Sequence, residues 1–128
     1  MKDLENKVYT HLKARTWDDL RPVDLAKSIM IEGAELLEIF QWENLSLEEV
    51  KKNKQKIDEI KKELADVLIY CLEMSVLLGL DTDKIIRQKL ANVAKKYPAK
   101  LMRKRNKTAA VDDYFRIKKE YRVQKMEK

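Results

Sequence analysis

Two pairs of carboxylates stand three residues apart inside otherwise apolar segments, Glu32 with Glu35 and Glu63 with Asp66. Residues three apart on a helix project from adjoining turns of one face. Two such helices packed face to face would bring four acidic groups together. Carboxylates are costly to desolvate unless a cation or a hydrogen-bond partner compensates them. Four oxygen ligands with no histidine or thiol beside them suit a hard ion, Mg²⁺ or Mn²⁺.

The elements that must position these carboxylates are predicted to be helices. Two Gly and two Pro among 128 residues leave few turns, and no segment has a strand-turn-strand pattern. A capping box at Ser46 and Glu49 starts a short helix, and Gly79 is the predicted stop of the longest one. The apolar spacing predicts helices over about residues 4–14, 22–41, 47–53, 54–78 and 82–97, a basic linker over 99–110, and a last helix from Asp112.

The second half of the longest predicted helix, LADVLIYCLEMSVLL, is apolar on nearly all sides. Such a helix belongs at the centre of a bundle or at a subunit interface. We expect its face with Leu68, Leu72 and Leu77 to be shared between subunits. Cys71 is predicted to be a buried small apolar residue.

Composition excludes several classes of protein. The single cysteine excludes an intrachain disulfide framework and a multi-cysteine zinc site. The longest apolar run contains Glu73 and is shorter than the roughly 18 residues of a membrane span. The N-terminus, MKDLENK, is too polar for a signal peptide. A cytoplasmic location is the resulting prediction.

Charge is distributed unevenly along the chain and suggests two domains. Residues 99–128 contain 11 Lys and Arg against 4 Asp and Glu, whereas residues 1–98 contain 17 against 18. We therefore expect a nearly neutral domain over residues 1–98 and a basic C-terminal extension over residues 99–128. Such an extension could bind a polyanion or an acidic surface.

The order of the motifs resembles the MazG-like all-α nucleotide pyrophosphohydrolases. That group includes the dCTP-pyrophosphatase-type enzymes and is related to the dimeric dUTPases. The family signature, E-x-x-E followed by E-x-x-D, is met by Glu32 to Glu35 and by Glu63 to Asp66. The resemblance covers about residues 14–98 and rests on the segments RTWDDLRP, IEGAELLEIFQW, KKELADVLIYCL, LGLD and KLANVAKKYP.

This resemblance implies a fold, an activity and an assembly. The fold would be a four-helix bundle with an extra basic C-terminal helix, assembled as a homodimer or homotetramer with the active site in a groove between helices. The activity would be Mg²⁺-dependent hydrolysis of a nucleoside or deoxynucleoside triphosphate between the α and β phosphates. The products would be the monophosphate and pyrophosphate, and the role would be house-cleaning of the nucleotide pool.

The resemblance also implies roles for particular residues. The metal ligands would be Glu32, Glu35, Glu63 and Asp66, with Glu35 and Glu38 serving the catalytic step by assisting the metal or orienting the water. Residues that match substrate-binding positions of the family fall into an aromatic set near the base and a polar set near the phosphates: Trp17 and Trp42, then Lys89, Asn92, Lys96 and Tyr97.

Two features depart from the family pattern. Many relatives carry a histidine just before the proline of the connector, where this chain has Arg21. A base or sugar contact expected from that histidine is therefore not assigned here. The chain also continues for 30 residues past Pro98, and the resemblance does not explain that extension.

Three rival interpretations use other features of the sequence. A nucleic-acid-binding or regulatory helical oligomer would use the basic C-terminal residues Lys100, Arg103, Lys104, Arg105 and Lys107, with Tyr114 and Phe115 nearby. A di-iron carboxylate bundle needs E-x-x-H pairs, and the only histidine, His11, is not in such a motif. An oligomer that kept the fold but lost the activity would not need an intact acidic quartet.

Overall fold

The structure, a computed structural model, describes the backbone of residues 1–103 and 107–127 and the side chains of residues 1–103 and 111–125. All regular secondary structure in these ranges is helical, which confirms the predicted all-α class. The helices are α1 (Lys2–Ala14), α2 (Pro22–Glu38), α3 (Leu47–Lys52), α4 (Lys54–Leu77), α5 (Thr82–Lys96), α6 (Ala99–Met102) and α7 (Lys107–Glu127).

Local signals explain where α3 begins and where α4 ends. The Ser46 hydroxyl oxygen accepts a hydrogen bond from the Glu49 backbone N–H at 3.2 Å, and the hydroxyl donates to Glu49 Oε1 at 3.1 Å. The first bond is the Ser46 half of the predicted capping box, whereas the Glu49 carboxylate accepts from the Ser46 hydroxyl and not from the Ser46 backbone N–H that a full capping box uses. Gly79 follows the end of α4 with a φ of +68°, a left-handed conformation that favours glycine and stops the helix.

The end of α2 lies at Glu38, earlier than the predicted Gln41. The turn that follows is held by Lys56 from the first turns of α4. Its ammonium donates to the Ile39 carbonyl at 3.0 Å and pairs with Glu43 at 2.7 Å. These bonds satisfy a carbonyl that the helix end leaves without a partner, so the chain turns here rather than continuing.

The C-terminal region is more helical than predicted. The expected linker over residues 99–110 is wrong, because α6 occupies Ala99–Met102 and α7 already begins at Lys107 rather than Asp112. Ala109 and Ala110, the best helix formers, extend α7 toward its N-terminus. Lys104 and Arg105, predicted as part of a basic surface, lie outside the described residues.

The chain divides into two compact units, Met1–Thr82 and Asp83–Lys128. In the first unit α2 and α4 make the most extensive contact, and α1 also packs against α4. In the second unit α6 contacts α7, and Ile117 of α7 is buried. The predicted division into a catalytic domain over residues 1–98 and a basic extension over residues 99–128 concerns function, and it stays a prediction.

The first unit has a small core and a long exposed apolar stripe. Leu12 and Leu25 are the only buried apolar residues in the described part of this unit. On α4, Leu64, Leu68 and Cys71 are all exposed. They are spaced i, i+4 and i+7 and therefore form one stripe. Within the single chain the prediction that Cys71 is buried is wrong, because the cysteine lies on this exposed stripe.

No helix in the described ranges combines the length and the apolar character needed to cross a membrane.

Candidate active site

The packing of α2 on α4 places two glutamates inside apolar stripes. On α2, Glu32 lies between Ile29 and Leu36 on the half-buried face of the helix. On α4, Glu63 lies between Ile60 and Val67 in the same way, at spacings of three and four residues. Each glutamate shares the helical face that packs against the other helix, which explains why both are only partly exposed.

Three of the four predicted metal ligands converge. Glu32, Glu63 and Asp66 each present a carboxylate oxygen, and these oxygens lie within 4.8 Å of one another. Mg²⁺ takes oxygen ligands at about 2.0–2.1 Å, so that two ligands on opposite sides of the ion are about 4 Å apart. Small side-chain rotations would therefore bring all three oxygens to one ion. The oxygen-only set suits a hard divalent cation.

The fourth predicted ligand, Glu35, lies beside this group rather than within it. Its carboxyl is close enough to share a hydrogen bond with Glu32, and this contact is the main reason why the pKa of Glu32 is raised. Partial burial and the nearby negative charges of Asp66 and Glu63 raise the pKa of Glu32 further. Crowded carboxylates disfavour one another's ionised form.

The pKa of Glu63 is also raised, but the main cause differs from that for Glu32. Burial is the main cause of its raised pKa, followed by a hydrogen bond with Glu35 and by the negative charges of Glu35, Asp66 and Glu38. One buried oxygen of Glu63, Oε2, has no hydrogen-bond partner among the described residues, and neither has Oε2 of Glu32. A divalent cation would compensate these oxygens, so the residues present fit a metal.

An open groove of about 510 Å³ adjoins the cluster. Glu35, Glu38 and Glu63 line it from the predicted site, and Glu59 and Lys62 of α4 join them. Glu38 is exposed at the C-terminal end of α2. Its position on the groove wall leaves it free to contact a water molecule or a second ion.

The two predicted base-binding tryptophans lie in different surroundings. Trp17 lines a cavity of about 220 Å³ together with Tyr70 and Glu73. Trp42, by contrast, is 88% exposed in the single chain. Glu73 was not predicted as a site residue, yet it is only 6% exposed, and burial raises the pKa of its carboxyl. Its apolar sequence context gave a signal for burial but none for the cavity.

The predicted phosphate-binding residues come together in the second unit. Lys89, Asn92, Lys96 and Tyr97 all line a groove of about 780 Å³. The spacing i, i+3 and i+7 places Lys89, Asn92 and Lys96 on one side of α5. The groove also contains Lys118, Tyr121, Arg122 and Lys125 of α7, which the sequence did not assign to any site.

These observations define an all-α protein with a cluster of carboxylates between two helices and, in its second unit, a cationic groove. A model of the MazG-like family matches residues 27–110. A pyrophosphatase of known structure from Archaeoglobus fulgidus is 37% identical, with a TM-score of 0.66 over 77% of this chain and 92% of that one. No curated protein matches the chain.

The chain belongs to the MazG-like family, because the matched segment covers well over half of its length. It is a hydrolase that acts on nucleotide pyrophosphate bonds. The matched segment contains the acidic cluster and the predicted phosphate-binding residues but ends before most of α7.

Proposed function

We propose that the protein hydrolyses a nucleoside or deoxynucleoside triphosphate between the α and β phosphates in the presence of Mg²⁺, and so serves nucleotide-pool house-cleaning. The observation that carries this proposal is the convergence of Glu32, Glu63 and Asp66 on one point between α2 and α4. The role of these three residues and Glu35 would be to hold the cation. Mn²⁺ is chemically suited to the same oxygen ligands.

Hydrolysis of a triphosphate depends mostly on positioning and charge neutralisation. A bound divalent ion would neutralise phosphate oxygens and lower the pKa of a coordinated water. Glu35 and Glu38 border the groove beside the cluster and are the carboxylates that can orient the attacking water and accept its proton. Without a cation, the same acidic groups would repel the phosphates.

We propose substrate-binding roles for the residues that match the family's substrate-binding positions. Lys89 and Lys96 supply charge to the phosphates, with Asn92 and the Tyr97 hydroxyl as neutral partners. Trp17 contributes an aromatic face for the base from its cavity with Tyr70 and Glu73. Trp42 is assigned to the base pocket on the family pattern alone.

The direct test is a panel of canonical and modified triphosphates incubated with Mg²⁺, in which pyrophosphate and orthophosphate are measured separately. We expect at least one triphosphate to yield monophosphate and pyrophosphate in equal amounts, with no product when the divalent ion is chelated. Release of orthophosphate alone would contradict cleavage between the α and β phosphates.

We further propose that the enzyme is a homodimer or homotetramer that buries the stripe formed by Leu64, Leu68 and Cys71. Leu68 is 53% exposed in the single chain, and a contiguous exposed apolar surface commonly marks a protein interface. Of the other leucines predicted at this interface, Leu72 and Leu77 are half-buried within the chain.

Light scattering at micromolar concentration should give a mass of at least two chains. Leu68→Glu should shift the protein toward monomer, because it places a charge in the apolar contact. The matched control is Leu47→Glu, the same change at an exposed leucine in the first turn of α3, which should leave the mass unchanged. A wild-type monomer would refute the shared interface.

A further inference from the structure

The groove of the second unit carries more positive charge than its predicted phosphate-binding residues supply. No Asp or Glu is among the described residues that line it, while six cationic side chains do: Lys89, Lys95, Lys96, Lys118, Arg122 and Lys125. Like charges gathered in one groove raise its free energy unless an anion compensates them. The lining therefore favours a ligand with several negative charges.

Three of the four extra charges come from α7, and the fourth is Lys95 of α5. Lys118, Arg122 and Lys125 are spaced i, i+4 and i+7 and form one stripe about 10 Å long on that helix. The stripe is comparable in length to the one from Lys89 to Lys96 on α5. Both stripes line the same groove, so a ligand between them would meet cations on two sides.

Aromatic side chains form contacts between the two walls of this groove. The rings of Tyr97 and Tyr114 stack with centroids 4.7 Å apart, which joins the end of α5 to α7. The Lys96 ammonium lies 5.2 Å from the ring of Tyr97 and 4.8 Å from that of Tyr121. Contacts of this kind attract a cation to the ring face, so the Lys96 charge is held in place before a ligand arrives.

We propose that Lys118, Arg122 and Lys125 of α7 bind the β and γ phosphates of the triphosphate, opposite the α5 residues that the family pattern assigns to the phosphates. This inference rests on the function proposed above. The guanidinium of Arg122 can bind a phosphate through two parallel hydrogen bonds. The volume of about 780 Å³ lies within the range of small-molecule sites.

The α7 cations belong to the C-terminal extension and lie outside the segment that the family model matches. The family match ends at residue 110, and all three cations lie beyond it. Cations and aromatic rings are also the groups that bind a single-stranded nucleic acid. The short stripes and the predicted phosphate-binding residues on the facing wall favour a ligand with two or three phosphates.

The test uses the full chain and inorganic pyrophosphate as the probe. Calorimetry with Mg²⁺ should show that Arg122→Ala weakens pyrophosphate binding about tenfold or more, as expected when a charge-assisted hydrogen bond is lost. The KM for the triphosphate should rise to a similar extent while kcat stays within about threefold, because the contact is made in both the ground state and the transition state. Lys125→Ala should act in the same direction.

The matched control is Lys119→Ala, which removes an exposed cation from α7 that does not line the groove. This substitution should leave the dissociation constant for pyrophosphate and the KM for the triphosphate unchanged. Equal losses in Arg122→Ala and Lys119→Ala would indicate general electrostatic attraction and overturn the assignment. The assignment would also be overturned if Arg122→Ala and Lys125→Ala both left these constants unchanged while circular dichroism showed wild-type helix content.

Two further outcomes separate this inference from the proposed function. Arg122-dependent pyrophosphate binding without hydrolysis of any triphosphate would support the phosphate site and refute the activity. Hydrolysis that is insensitive to both α7 variants would refute the site alone. Displacement of pyrophosphate by a single-stranded oligonucleotide more effectively than by triphosphate would assign the groove to nucleic acid and overturn the inference.

Discussion

Asp66→Asn is expected to lower kcat for pyrophosphate release by about a thousandfold at saturating Mg²⁺. Asp66 presents one of the three oxygens that converge between α2 and α4, and the amide that replaces it carries no charge. The metal would then be held by fewer anionic ligands and in a less defined position. Asp66 is exposed, so the substitution should leave the helix content and the thermal midpoint nearly unchanged.

Asp58→Asn is the matched control for this prediction. Asp58 is an exposed aspartate on the same helix, about two turns before Asp66, and it receives the same chemical change. Its activity should equal that of the wild type. Full activity of Asp66→Asn at limiting Mg²⁺ would show that Asp66 is not a metal ligand.

Glu63→Gln is expected to stabilise the metal-free protein and to reduce the stabilisation that Mg²⁺ provides. Without divalent ions, the variant should unfold at a higher temperature than the wild type, because the neutral amide removes a partly buried negative charge from among Glu35, Asp66 and Glu38. With saturating Mg²⁺, the wild type should gain about 10 °C in Tm, since a ligand that binds only the folded state stabilises it. The variant should gain much less.

Differential scanning calorimetry, with chelator and with Mg²⁺, measures the Tm of both proteins in both conditions and needs no assay of activity. The control is Glu48→Gln, at an exposed glutamate of α3 that forms an ion pair with Lys51 at 3.4 Å. Exposed pairs of this kind contribute little to stability, so both the metal-free Tm and the gain with Mg²⁺ should match the wild type. A wild-type gain with Mg²⁺ in Glu63→Gln would exclude this carboxylate from the metal site.

Much of the fold was predictable because local signals determine it. The N-cap at Ser46, the left-handed Gly79 and the periodic apolar positions all act over one or two helical turns. The same signals were insufficient at the end of α2, where Lys56 holds the following turn from 13 residues beyond Glu43. They also failed over residues 99–110, where α6 and the start of α7 replace the expected linker.

The acidic site shows the same division between local and long-range information. Spacing alone placed Glu32 with Glu35, and Glu63 with Asp66, on shared helical faces. Only the packing of α2 against α4 selected Glu32, Glu63 and Asp66 as the group whose oxygens converge, with Glu35 beside it. The ligand roles themselves stay a prediction that the two variants above test.

The sequence by itself determined the helical class, the two carboxylate pairs and the family, because these depend on residue types at short, regular spacing. The tertiary structure alone decided that Glu73 is buried beside Trp17 and that Cys71 is exposed. It also decided that Lys118 and Arg122 share a groove with Lys89 and Lys96. Those relations join residues far apart in the chain, and helical periodicity carries no information about which faces of different helices meet.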